Sequence, residues 1–111
     1  MKSKEKKIRS RDVHDVLELI GGTWRGAILA TLCEGPLRFS ELKLELKTIT
    51  PRVLIKELRY LEMNKMVYNS KSTVAGNSVV YSLTEHGLSI EPIIAEIHKW
   101  AIIHRKEVLG V

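Results

Sequence analysis

A mainly helical chain with one small β-hairpin is the fold class predicted for this sequence of 111 residues. Three observations predict it. Apolar residues recur at i, i+3, i+4 and i+7 in several segments, as they do on one face of a helix. Thr50-Pro51 marks a sharp helix start in mid-chain. Two strand-like runs, Val67 to Thr73 and Ser78 to Leu83, flank Ala75-Gly76-Asn77, where glycine suits a turn. In order, the chain offers a short helix, a tight turn, a capped basic helix and a strand pair, the parts of a winged helix-turn-helix.

Residues 1–11 are polar and basic, too poor in apolar groups to offset the entropy of ordering, and are predicted to form a flexible arm. Residues 12–111 are predicted to form a single domain, the expectation for this length. Asp12 is the expected cap of a first helix whose Val13, Val16, Leu17 and Ile20 share a face, and Gly21-Gly22 stops it. Thr23 is the expected cap of a second helix, with Trp24, Ile28, Leu29 and Leu32 facing the core and Gly35-Pro36 ending it. Leu37-Arg38-Phe39 is long enough only for one edge of a small sheet, and Ser40 with Glu41 opens a third helix that buries Leu42 and Leu46. The turn Lys47-Thr48-Ile49 leads to a fourth helix running from Thr50 to about Asn64. After the hairpin, Thr84 caps a further helical region, and a last helix runs from Pro92 to about Glu107.

Composition excludes much. Eighteen Lys and Arg against 13 Asp and Glu leave a net charge of +5, which favours polyanionic partners. The single cysteine, Cys33, permits neither an internal disulfide nor a thiolate cluster and fits a reducing cytoplasm. It shares the inward side of Leu29 and reads as a buried, inert thiol, with a redox sensor as the alternative. No segment approaches the roughly twenty apolar residues that span a bilayer, so no membrane partner is expected. His14, His86, His98 and His104 lack the i, i+4 pairing of a zinc site. There is no phosphate loop, nucleophile elbow or carboxylate pair, so neither a metal, a cofactor nor an enzymatic reaction is predicted.

The fourth helix carries the functional argument. Leu54, Leu58 and Leu61 lie at i, i+4 and i+7, and Arg52, Lys56 and Arg59 repeat that spacing two positions earlier. Two residues rotate a helix by roughly 200°, which puts leucines and cations on opposite faces. A groove-reading helix needs this division: one side holds it to the body, and the other reaches phosphates and guanine edges. Arg52, in the first turn, is the predicted base contact; Lys56 and Arg59 are predicted phosphate contacts. Arg38, Ser40, Thr48, Thr50, Pro51 and the hairpin's Lys71 complete the predicted DNA-binding set. A basic face that docks an acidic protein is the alternative use of the same stripe.

The last helix is apolar over a wide arc, with Ile90, Ile93, Ile94, Ile97, Trp100, Ala101, Ile102 and Ile103. Such a helix needs cover on two sides, and a second subunit would supply it. Val13, Leu17, Ile93, Ile97, Trp100 and Ile103 form the predicted homodimer interface. Two-fold pairing would place two reading helices about 34 Å apart, matched to a pseudo-palindromic operator.

The stretches Leu17 to Trp24, Gly35 to Leu42, Ile49 to Leu54, Leu58 to Glu62 and Tyr81 to Gly87, together with Trp100, resemble the HxlR-type winged-helix regulators of bacteria, relatives in design of the MarR type. Gly-Gly-x-Trp at 21–24 and Arg-Phe-Ser-Glu-Leu at 38–42 are the specific pieces. The resemblance implies a homodimeric, sequence-specific transcription factor joined through its terminal helices. The helix after Thr50 would enter the major groove, and the hairpin would follow the minor groove or backbone. The chain departs from the family's habits twice. Ser10-Arg11-Asp12-Val13 stands where many members carry a sensing cysteine, and Gly76 to Tyr81 lacks the wing's usual prolines and basic residue. An unidentified small-molecule effector stays open as a further partner.

Overall fold

Aliphatic residues spaced three and four apart dictate the helices of the computed structural model, which describes residues 7–72 and 78–110. Helix α1 covers Ser10–Ile20 and stops at Gly21; Gly22 then takes a left-handed φ of 75°, open to glycine at no steric cost. The helix starts ahead of its predicted point. Arg9 holds the cap position and Asp12 lies within the first turn, so Asp12 is not the cap. Its negative charge there offsets the positive helix end. Ser10 and Arg11, expected in the arm, belong to α1, and residues 1–6 lie outside the described residues.

Helix α2, Arg25–Leu32, corrects a second cap. The left-handed turn at Gly22 carries the chain into the helix one residue late, so Trp24 rather than Thr23 precedes it, and Ile28 N donates to Trp24 O at 2.9 Å. Strand β1 is Leu37–Arg38 and helix α3 is Phe39–Leu46. Phe39, expected in the strand, is helical, because the Glu41 carboxylate accepts the Arg38 amide at 2.8 Å and closes the first turn around it. Helix α4, Pro51–Met63, begins where Thr50-Pro51 predicts: the Thr50 hydroxyl accepts from Val53 N at 3.2 Å.

Strands β2, Val67–Ser72, and β3, Ser78–Leu83, pair antiparallel from Val67 opposite Leu83 to Ser72 opposite Ser78. Strand β1 joins the other edge of β3, with Leu37 opposite Tyr81, giving the order β1-β3-β2. The expected turn residues Ala75, Gly76 and Asn77, with Thr73, lie outside the described residues. Thr84 caps the short helix α5, Glu85–Leu88, accepting from Gly87 N at 2.8 Å. Helix α6, Glu91–Leu109, closes the chain and outruns its predicted span at both ends.

The core gathers Ile28, Leu29 and Leu32 of α2, Leu42 of α3, Leu54, Leu58 and Leu61 of α4, and Met66, Val67, Tyr81, Leu83 and Ile90. Each buried leucine contributes about 1.5–3 kcal/mol over an exposed one, so α4 is firmly seated. Helices α1 and α6 differ: neither contains a fully buried residue. Among the described residues no helix is long and apolar enough to cross a membrane.

Candidate nucleic-acid interface

Thr50 fixes where α4 begins, and the helical period then fixes which way each side chain points. Leu54, Leu58 and Leu61 are 0% exposed, while Arg52, Lys56 and Arg59 are exposed. The division of faces expected from the spacing is present. The structure brings the three cations together on a shallow cleft that Arg25, Ile55, Tyr60 and Met63 also line.

The segment before α4 is short and pinned. Lys47 turns at a φ of 60°, its amide bonding back to Lys43 O at 3.0 Å, and Ile49 drops into the core at 2% exposed. Thr48, Thr50 and Pro51 are thereby left on the surface beside the start of α4. Ser40 is exposed in the first turn of α3. Arg38 is less free than the sequence suggests, since its Nη2 lies 3.4 Å from Glu41 Oε2. Glu41 in turn has its carboxyl held below the usual range, first by the Arg38 amide and then by the Arg38 side chain. Lys71 is exposed on β2, opposite Val79.

Contacts that sequence reasoning missed hold α4 to its neighbours. Arg25 Nε donates to Glu57 Oε1 at 2.7 Å, its Nη1 donates to Glu18 O at 2.9 Å, and its Cζ lies 3.6 Å from the Tyr60 ring centroid. The available signal was small: an acid, Glu57, directly after Lys56 on the basic side of the helix, and one arginine opening the otherwise uncharged α2. Asn69 of β2 donates to the Glu62 carboxylate, tying the hairpin to the same helix. Tyr81, under the sheet, has its hydroxyl pushed up by burial, with Glu62 adding to the effect.

The terminal helices present a second surface. Leu17 is 59% exposed, Trp100 61% and Ile103 63%, and Val13, Ile93 and Ile97 are exposed with them. Leu17 and Ile97 line one cleft of about 380 Å³ with Ile20, Ile94 and His98, so the apolar faces of α1 and α6 adjoin. Trp100 stacks on His104 with ring centroids 4.8 Å apart.

Cys33 is half-buried rather than buried. Its thiol is pushed up by burial and by the nearby Glu91 and Glu34, away from the thiolate form that reacts. The described residues contain no group of His, Cys, Asp and Glu that could hold a metal ion.

The profile described as HxlR-like helix-turn-helix matches residues 19–108. The uncharacterized HTH-type transcriptional regulator YtcD of Bacillus subtilis (strain 168) is 38% identical over 110 residues, covering 96% of this chain and 84% of that protein. Among solved structures, the redox regulator HypR in its reduced form superposes with a TM-score of 0.82 at 32% identity, covering 90% of this chain and 99% of that one. The quinone-bound form of YodB from B. subtilis gives a TM-score of 0.71 at 28% identity, covering 82% of this chain and 96% of that one.

Proposed function

Because the chain belongs to the HxlR-like helix-turn-helix family of DNA-binding transcriptional regulators, we propose that it binds a pseudo-palindromic operator in double-stranded DNA as a homodimer. Helix α4 enters the major groove, and the β2–β3 hairpin lies along the adjacent backbone or minor groove. The opposition on α4 of fully buried Leu54, Leu58 and Leu61 to exposed Arg52, Lys56 and Arg59 carries this reading. Arg52, in the first turn, offers a guanidinium fork to the O6 and N7 acceptors of guanine. Lys56 and Arg59 neutralise phosphates, which releases counterions and makes affinity fall with salt. Ser40, Thr48 and Thr50 add hydroxyls beside the same groove, the proline at position 51 has no amide of its own to leave unpaired at the helix start, and Arg38 and Lys71 extend the positive footprint.

The exposed apolar faces of α1 and α6 support pairing with a second copy. Val13, Leu17, Ile93, Ile97, Trp100 and Ile103 would be buried there, and the two-fold axis would set both α4 helices on one side of the duplex. An effector belongs to the proposal because HypR is a redox regulator and YodB has a quinone-bound form. Half-burial and a thiol pushed up by its surroundings disfavour direct sensing through Cys33. Selection of bound duplexes from a random pool tests the reading. Enrichment of an inverted repeat with half-sites one helical turn apart supports it, and recovery of no shared sequence overturns it.

A further inference from the structure

Resting on the operator-binding reading, we propose that Arg25 is the positioning residue for α4, one guanidinium that sets the angle of the reading helix and ties it to α1. Its Nε donates to Glu57 Oε1 at 2.7 Å, and the two side chains are only 22% and 15% exposed, so their attraction is little screened. The guanidinium also lies 3.6 Å from the Tyr60 ring centroid. Glu57 and Tyr60 stand three residues apart on one side of α4. A flat group holding both restrains the helix against rotation about its own axis as well as against sliding. Lys56 and Arg59 each directly precede one of these gripped residues, so any rotation there moves the DNA-facing cations.

The third contact reaches a different element. Arg25 Nη1 donates to Glu18 O at 2.9 Å, a carbonyl in the last turn of α1 that has no amide partner further along the helix. One side chain therefore joins α1, whose apolar face is proposed for dimerisation, to the helix proposed to read the operator. Lysine cannot replace it, because a single ammonium cannot form the fork, stack on the ring and reach α1 together.

The test compares wild type, Arg25→Lys and Glu57→Gln at a temperature where thermal unfolding shows each to be folded. Affinity for the selected operator and for an unrelated duplex is measured across salt, and amide hydrogen exchange is followed along α4 in the free protein. Arg25→Lys is expected to lower the ratio of specific to non-specific affinity about tenfold, with the salt slope unchanged and α4 exchange faster. Glu57→Gln is expected to change both in the same direction by less, and it carries the test if Arg25→Lys does not fold. An unchanged ratio overturns the proposal. So does equal loss on both duplexes with a slope reduced by about one, the behaviour of a phosphate contact. If the wild-type chain selects no operator, the operator-binding reading fails by itself, and hydrogen exchange alone decides for Arg25: unchanged α4 exchange in Arg25→Lys rejects it.

Discussion

At Gly87 a single methyl group would meet the backbone. A Cβ there would lie 2.1 Å from Met66 O, the carbonyl that also accepts the Thr84 amide at 3.0 Å. Gly87→Ala must push α5 away from the start of β2, and a loss of about 1–3 kcal/mol is expected in urea unfolding. Substitutions on the exposed face of α4 are expected to act differently, through DNA rather than stability. Arg52→Ala is expected to lose about 1–3 kcal/mol at the selected operator, whereas Lys56→Ala weakens all duplexes alike and lowers the salt slope by about one. Equal losses on specific and unrelated duplexes for both variants, read by fluorescence anisotropy, would contradict that division of roles. These cations were legible because their two-residue offset from the leucines reads directly as the opposite helix face. The Arg25, Glu57 and Tyr60 cluster was not, since Arg25 and Glu57 are 32 residues apart and only tertiary packing brings them together.

Helix boundaries were legible where a side chain itself closes the first turn. Thr50 and Thr84 both accept an amide three residues on, and both stand where the sequence placed them. Asp12 and Thr23 carry the same chemistry without that role, because α1 starts ahead of Asp12 and the left-handed turn at Gly22 delays α2 past Thr23. Helix α3 starts on a backward contact instead, Glu41 accepting from the Arg38 amide. That contact makes the helix pH-sensitive. The folded pKa of Glu41 is depressed, so its contribution is fully present above the ordinary carboxyl value of 4.5 and is lost as the pH falls through the folded value. Thermal unfolding of wild type and Glu41→Gln should therefore converge in acid and separate at neutral pH. A gap that widens on acidification would contradict the capping role.

Over the whole molecule, burial is uneven. Helices α2, α3 and α4 meet the sheet in one core, while α1 and α6 leave large apolar side chains in water. The breadth of the apolar arc on the last helix was readable from the sequence, but how few of its residues the body covers was not, because that depends on how the chain enters α6, with Ile90 buried at its cap and Ile94 half-buried against the core. Trp100 is 61% exposed, so Trp100→Glu should leave the fold intact and halve the mass seen by light scattering. An unchanged mass would contradict the proposed interface. The most direct measurement for the outward cationic face of α4 is a salt titration of duplex binding by the wild-type chain. Each phosphate neutralised by Lys56 or Arg59, or by the flanking Arg38 and Lys71, should add about −0.9 to the slope of log affinity against log salt, so a steep slope of several such steps is expected. An affinity that stays flat as salt rises would contradict DNA recognition by this helix.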